Sequence, residues 1–140
     1  MKNSDGDKRD GKDESLGPVL ADIGGELARH VEGDPDGMFL YAEAGEGWYA
    51  VAVFKEESDQ VRYYSPTSEL GDLVWEVWNS EEPEKRWAVM EYEIKGRKFD
   101  VQFQFPDEID PKETEMDRRP RVIERRFGDK PVVYPPWPSE

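Results

Sequence analysis

A chain of 140 residues with 33 acidic and 19 basic side chains carries a formal charge of −14. That field disfavours nucleic acid and anionic lipid as partners and attracts basic proteins over a Debye length of roughly 8–10 Å. With no cysteine and His30 as its one histidine, the chain can form neither disulfides nor thiolate metal sites and has little of the usual catalytic equipment.

Residues 1–14 hold only polar, charged and glycine residues after Met1 and are expected to form a disordered charged extension. The order Asp5, Asp7, Asp10, Gly11, Asp13 is faintly like a calcium loop. It has one residue too many before the glycine and no helix ahead of it, so the pattern fails. A single α+β domain is expected over residues 15–134, with a Pro-rich tail at 135–140. Five Trp, six Tyr and six Phe give that domain core volume that its aliphatic content alone would not.

Within the domain, Ser15 can cap a first helix running to about Val31. Its apolar stripe is Leu16, Val19, Leu20, Ile23, Leu27 and Val31. Gly24 and Gly25 weaken that helix by roughly 1 kcal/mol each relative to alanine, so tertiary packing must hold it. Gly33 to Gly37 then breaks the chain. Met38 to Ala44, Trp48 to Lys55 and Gln60 to Tyr64 read as three strands of a meander, the first two joined by Gly45-Glu46-Gly47. Ser65-Pro66-Thr67-Ser68 opens a second helix whose inner stripe is Leu70, Leu73, Val74 and Val77.

Trp87 to Ile94 and Lys98 to Phe105 form a hairpin around Lys95-Gly96-Arg97. Phe99, Val101, Phe103 and Phe105 alternate with Lys98, Asp100, Gln102 and Gln104, the mark of a sheet with one face in the core and the other in water. Ala88, Met90, Tyr92 and Ile94 should face inward, leaving Trp87, Glu91 and Glu93 outside, with Tyr49 or Trp48 as further outward aromatics. The fold class predicted is α+β: a five-stranded antiparallel sheet with helices packed on it, ending in a charged tail with a short helix.

The tail divides by charge. Asp107, Glu108, Asp110, Glu113, Glu115 and Asp117 precede Arg118, Arg119, Arg121, Arg125 and Arg126. The acids offer oxygen ligands, but Pro111 and the loose spacing do not match a calcium loop. No companion base marks them as a catalytic pair, and a solvated loop balanced by the neighbouring arginines accounts for them. Ile123 and Phe127, with Val122, suggest that the arginines ride a short helix docked on the sheet and pair with its acids. His30 suits the dipole at the end of the first helix and needs no further role.

The order Tyr41, Trp48 to Phe54, Tyr63-Tyr64, Leu73 with Trp75, and Trp87 followed by Gly96-Arg97-Lys98-Phe99 resembles the YezG family of bacterial immunity proteins. So does the tail, with Phe105-Pro106-Asp107, Asp110, Arg118-Arg119 and Arg126-Phe127-Gly128-Asp129. The resemblance spans roughly Met38 to Tyr134. The N-terminal extension and the end Tyr134-Pro135-Pro136-Trp137-Pro138 depart from it. It implies an antitoxin that neutralises a cognate toxin domain, typically a nuclease, by stoichiometric binding without turnover. The surface expected to meet a cationic toxin comprises Glu91, Glu93, Asp100, Asp107, Glu108 and Asp110, with Trp87 as aromatic anchor. No cofactor and no metal are expected. A regulatory or adaptor subunit for another protein is the alternative, and a small metal-dependent enzyme a third. No apolar run approaches the ~18–20 residues of a membrane span and the N-terminus lacks a signal peptide's apolar stretch, so a cytoplasmic location is expected.

Overall fold

The computed structural model describes residues 17–31 and 34–135. The extension at 1–14, the cap at Ser15 and the tail beyond Pro135 lie outside them. Helix α1 (17–28) is followed by strands β1 (Met38–Gly45), β2 (Trp48–Glu56) and β3 (Val61–Tyr64) and by helix α2 (Ser68–Asn79). Strands β4 (Val89–Lys95) and β5 (Lys98–Gln104), helix α3 (Glu115–Phe127) and strand β6 (Val132–Val133) complete the order.

The sheet runs β5-β4-β1-β2-β3-β6. Five strands pair antiparallel as expected. The sixth corrects the prediction to a mixed sheet, because β6 lies parallel to β3, with Val61 beside Val132. Two residues are too short to show a strand's periodicity. What places them is the end of α3. Gly128 turns the chain at φ 70°, and Lys130 ties the return to the Glu56 carboxylate at 2.7 Å and the Glu57 carbonyl at 2.9 Å.

The expectation of one wet face also gives way, because helices cover both sides. Met38, Leu40, Ala42 and Ala44 of β1 meet α1 and α2, while Phe39 and Tyr41 meet Val122, Ile123 and Phe127 of α3. As the strand between these layers, β1 is buried from Met38 to Ala44. The alternation in β5 misled because that strand is at the edge. Its polar side is exposed, and even Phe99 on the apolar side is 42% exposed.

Two glycines that weaken α1 by propensity turn out to differ. A Cβ at Gly24 would sit 2.8 Å from the Tyr92 hydroxyl, which donates to the Leu20 carbonyl at 2.6 Å. The bare backbone lets β4 grip the helix there. At Gly25 a Cβ would meet nothing within 4 Å.

Candidate functional site

Trp87, expected as an exposed anchor, is 2% exposed, and the reason is local. Gln104 of β5 stands opposite Val89, yet its carbonyl also takes the Ala88 N–H at 2.7 Å. Two residues therefore oppose one, the count of a β-bulge, and the in–out parity shifts by one before Val89. Ala88 moves to the α3 side and Trp87 to the helix-pair side. There the Trp87 ring packs 5.6 Å from Phe103, and its carbonyl accepts from the Trp78 indole N–H at 2.9 Å.

Glu91 and Glu93 do lie on the face opposite Met90 and Tyr92, but α3 covers them. Glu91 is 5% exposed and accepts from Arg125 at 2.9 Å and from Arg126 at 3.3 Å. Arg126 also donates to Glu93 at 2.7 Å and lies 4.2 Å from the Phe39 ring centroid. Asp100 is exposed on the edge strand β5, and Asp107, Glu108 and Asp110 are exposed in the segment that follows it. The residues expected to form one toxin-binding surface thus fall into two groups, one internal and one exposed on β5 and the segment after it. Glu108 caps the turn it belongs to, accepting from the Phe105 N–H at 2.8 Å, and the Asp110 carboxylate accepts from the Lys112 N–H at 2.9 Å.

The arginines of α3 are engaged as their adjacency to an acidic block suggested. A capping box starts the helix, with Asp117 accepting from the Thr114 N–H at 2.9 Å. Those backbone and hydroxyl bonds from Thr114 hold the Asp117 carboxyl below its usual range. Arg118 then reaches through to β1 and binds both oxygens of buried Glu43, at 2.9 and 2.8 Å. Tyr41 donates to the same carboxylate at 2.5 Å. The remaining Arg118 nitrogen clamps the loop before the helix through the Glu113 carbonyl at 2.8 Å and the Asp110 carbonyl at 3.3 Å. Burial, with Glu43 alongside, pushes the Tyr41 phenol far above its usual range. The bonds to Glu43 likewise raise the Arg118 guanidinium, so both stay donors at any ordinary pH. Arg121 pairs with Glu113 at 2.6 Å and Arg119 with Glu115 at 3.2 Å. This layer is an internal lock, and its five guanidiniums are occupied.

The helix-pair side is different. Helix α2 contains no basic residue, and Glu69, Asp72 and Glu76 are exposed along its outer side. Asp72 and Glu76 have no ion-pair partner among the described residues. A shallow groove between α1 and α2 is lined by Asp22, Glu26, Glu69 and Asp72, with Arg29 opposing them. Glu26 is buried at the floor, taking the Thr67 hydroxyl at 2.8 Å and Arg29 at 2.5 Å. The Thr67 bond, assisted by Arg29, holds its carboxyl below the usual range. Thr67 in turn caps α2 through the Leu70 N–H at 3.1 Å.

Beside the acidic row runs an aromatic one. Gly71 is the reason Tyr49 can lie across α2, since a Cβ there would sit 2.5 Å from its hydroxyl oxygen. The Tyr49 ring is 5.9 Å from Trp75, which stacks on Trp78 at 5.0 Å. The Arg86 guanidinium closes the series 4.3 Å from the Trp78 ring. Tyr49 is 43% exposed and Trp48, on the opposite side of β2, 47%. These are the outward aromatics that sequence alternation offered beside Trp87.

Trp75, Asp72 and Glu76 were missed, although the signal was present: a helix whose inner stripe is Leu70, Val74 and Val77 must turn positions 69, 72 and 76 outward. Among the described residues no helix is long and apolar enough to cross a membrane, and no group of three or more His, Asp or Glu is placed to hold a metal ion. Searches against protein-family models and against curated proteins both find no match for this chain.

Proposed function

We propose that this chain is an immunity-type inhibitor that captures a basic protein, the nuclease domain of a toxin, by stoichiometric binding through the outer surface of α2. The observation that carries the reading is the row Glu69, Asp72, Glu76, uncompensated within its helix and flanked by the part-exposed rings of Tyr49 and Trp75. Carboxylates of one sign steer a cationic partner and raise its association rate, while aromatic rings that lose water on contact slow its release. Nucleases hold phosphates with basic surfaces, so an acidic inhibitor can occupy the same ground. The resemblance to the YezG family points the same way. The surface proposed excludes Trp87, Glu91 and Glu93, which the fold uses internally.

The test is capture of partners from the producing cell with the tagged chain, followed by assay of the captured protein on DNA and RNA. Expected is a basic protein whose nuclease activity falls to zero at equimolar inhibitor. The triple variant Glu69→Lys, Asp72→Lys, Glu76→Lys should associate on the order of tenfold more slowly or worse. Equal capture and inhibition by that variant would remove α2 from the reading.

A further inference from the structure

The free edge of the sheet carries a surface of a different kind. Strand β5 pairs with β4 on one side and with no strand on the other among the described residues. Exposed edges are usually blunted by charge, proline or brevity. Here seven residues, Lys98 to Gln104, run without proline, and Phe99 is 42% exposed with Val101 and Phe103 half-buried on the same side. The two ends of the strand have opposite charge. Lys95, Arg97 and Lys98 surround the hairpin at its start, and Asp107, Glu108 and Asp110 follow its end. Among the described residues neither Asp107 nor any of those three cations has an ion-pair partner. Arg97 is moreover held at φ 68°, a left-handed backbone in which a residue with a side chain is disfavoured by roughly 1–2 kcal/mol. Gly96 beside it, at φ 60°, shows what such a position prefers.

We infer that β5 is a self-association edge, pairing antiparallel with β5 of a second copy about a two-fold axis through Val101. The strand's own symmetry selects that register. Centred on Val101, all seven residues find partners: Phe99 faces Phe103, Asp100 faces Gln102 and Lys98 faces Gln104 of the other copy. Cross-strand aromatic pairs stabilise such a ladder, and like charges directly opposite weaken it. Centring on Asp100 would oppose two carboxylates. The same two-fold lays the basic turn of each copy along the acidic turn of the other, so a protein of net charge −14 meets itself where its local charges are complementary. Because α2 packs on β1 and β2, the dimer leaves both α2 surfaces free, and the inference stands whether or not a toxin is the partner.

A single introduced cysteine gives a direct test, since the chain has none of its own. Directly opposed residues of an antiparallel pair have Cα atoms roughly 4.5–5.5 Å apart, within disulfide reach. Full-length Val101→Cys should therefore oxidise to a covalent homodimer, whereas Phe99→Cys, four residues from its own counterpart, should not. Sedimentation equilibrium of the unmodified chain should show a monomer–dimer equilibrium that weakens with salt. Arg97→Glu should shift it to monomer, and Arg97→Glu with Asp107→Lys should restore the dimer. A chain that stays monomeric at its solubility limit overturns the inference, whether residues 1–16 or another protein covers the edge. A dimer that crosslinks equally well through Phe99→Cys overturns it too.

Discussion

The two helical layers on this sheet handle negative charge in opposite ways. On the α3 side the carboxylates of Glu43, Glu91 and Glu93 rise from the strands into arginines and are neutralised at 2.7–3.3 Å. On the α1–α2 side Glu26 alone is buried and paired, while Glu69, Asp72 and Glu76 point outward from α2, which offers no cation in return. One composition thus serves two purposes, and only the fold assigns them. Acids under α3 hold the layers in register, and acids on α2 are left to the surroundings. Changes on the first side should therefore appear in stability, and changes on the second in binding.

The largest stability effect belongs to Arg118. Its loss strands the buried Glu43 carboxylate and releases the loop carbonyls of Asp110 and Glu113. Arg118→Met should lower the unfolding free energy by about 3–5 kcal/mol in urea titration, the usual consequence of removing one partner of a buried pair. Adding Glu43→Met should recover most of that, because no unpaired charge remains. The residual deficit should be about 1–2 kcal/mol for the unpartnered Tyr41 hydroxyl and the released loop carbonyls. If the double variant is no more stable than the single one, the pair does more than neutralise itself.

A smaller effect separates two neighbours in α1. Gly24→Ala forces a methyl against the Tyr92 hydroxyl and should destabilise by about 1–3 kcal/mol. Tyr92→Phe in the same chain should relieve the clash, so the two changes together cost less than their sum. Gly25→Ala meets open space and should stabilise by up to about 1 kcal/mol through helix propensity alone. Equal signs at the two positions would remove the close approach of β4 as the reason for Gly24.

The acid limb of stability comes next. Glu113 is held below its usual range by Arg121, Glu57 by Arg62, Glu26 chiefly by Thr67 and Asp117 by Thr114. Each folded-state value is depressed, so the unfolded chain takes up the proton first as pH falls. The stabilisation is present above about pH 4–4.5, where unfolded carboxyls titrate. It is lost as pH drops through the lower folded values. Melting temperatures recorded from pH 6 to pH 2.5 should fall in that window, and Glu26→Gln should make the descent shallower.

The strands β1 to β5, and the helices α1 and α2, were legible because runs of strand formers between turn residues, or an apolar stripe along one helical face, mark each of them. The Val122, Ile123, Phe127 stripe likewise foretold a docked helix with its arginines on the sheet's acids. Three features were not legible, each for a reason of geometry. Strand β6 is two residues held by a tertiary salt bridge. The covered α3 face reads as polar because its residues are charged pairs, and a periodicity argument cannot distinguish a paired Glu91 from a solvated one. Trp87 was reversed by a bulge that shows in the backbone bonds of Ala88, whose N–H goes to the Gln104 carbonyl of β5 while its carbonyl takes the Ala44 N–H of β1. Parity counts from a sequence fail at the first extra residue.

The smallest predicted stability change is the one that most sharpens the contrast between the layers. Reversing Glu69, Asp72 and Glu76 to lysine keeps the like-charge spacing along α2 but lowers repulsion from the other acids of a chain of net charge −14, and the side chains are exposed and make no ion pair among the described residues. Surface substitutions of this sort shift stability by within about 0.5 kcal/mol each, and here relief of repulsion sets against the loss of Glu69 from the first turn. Reversing Glu91 and Glu93 is a change of similar size in charge, yet it buries a lysine against Arg125 and Arg126. The triple acid-to-lysine variant on α2 and the double one beneath α3 should thus unfold at widely separated urea midpoints, the one with fewer changes being the less stable. Coinciding midpoints would mean that the arginines of α3 do not lock the layers, and that the acids on the two sides are equivalent after all.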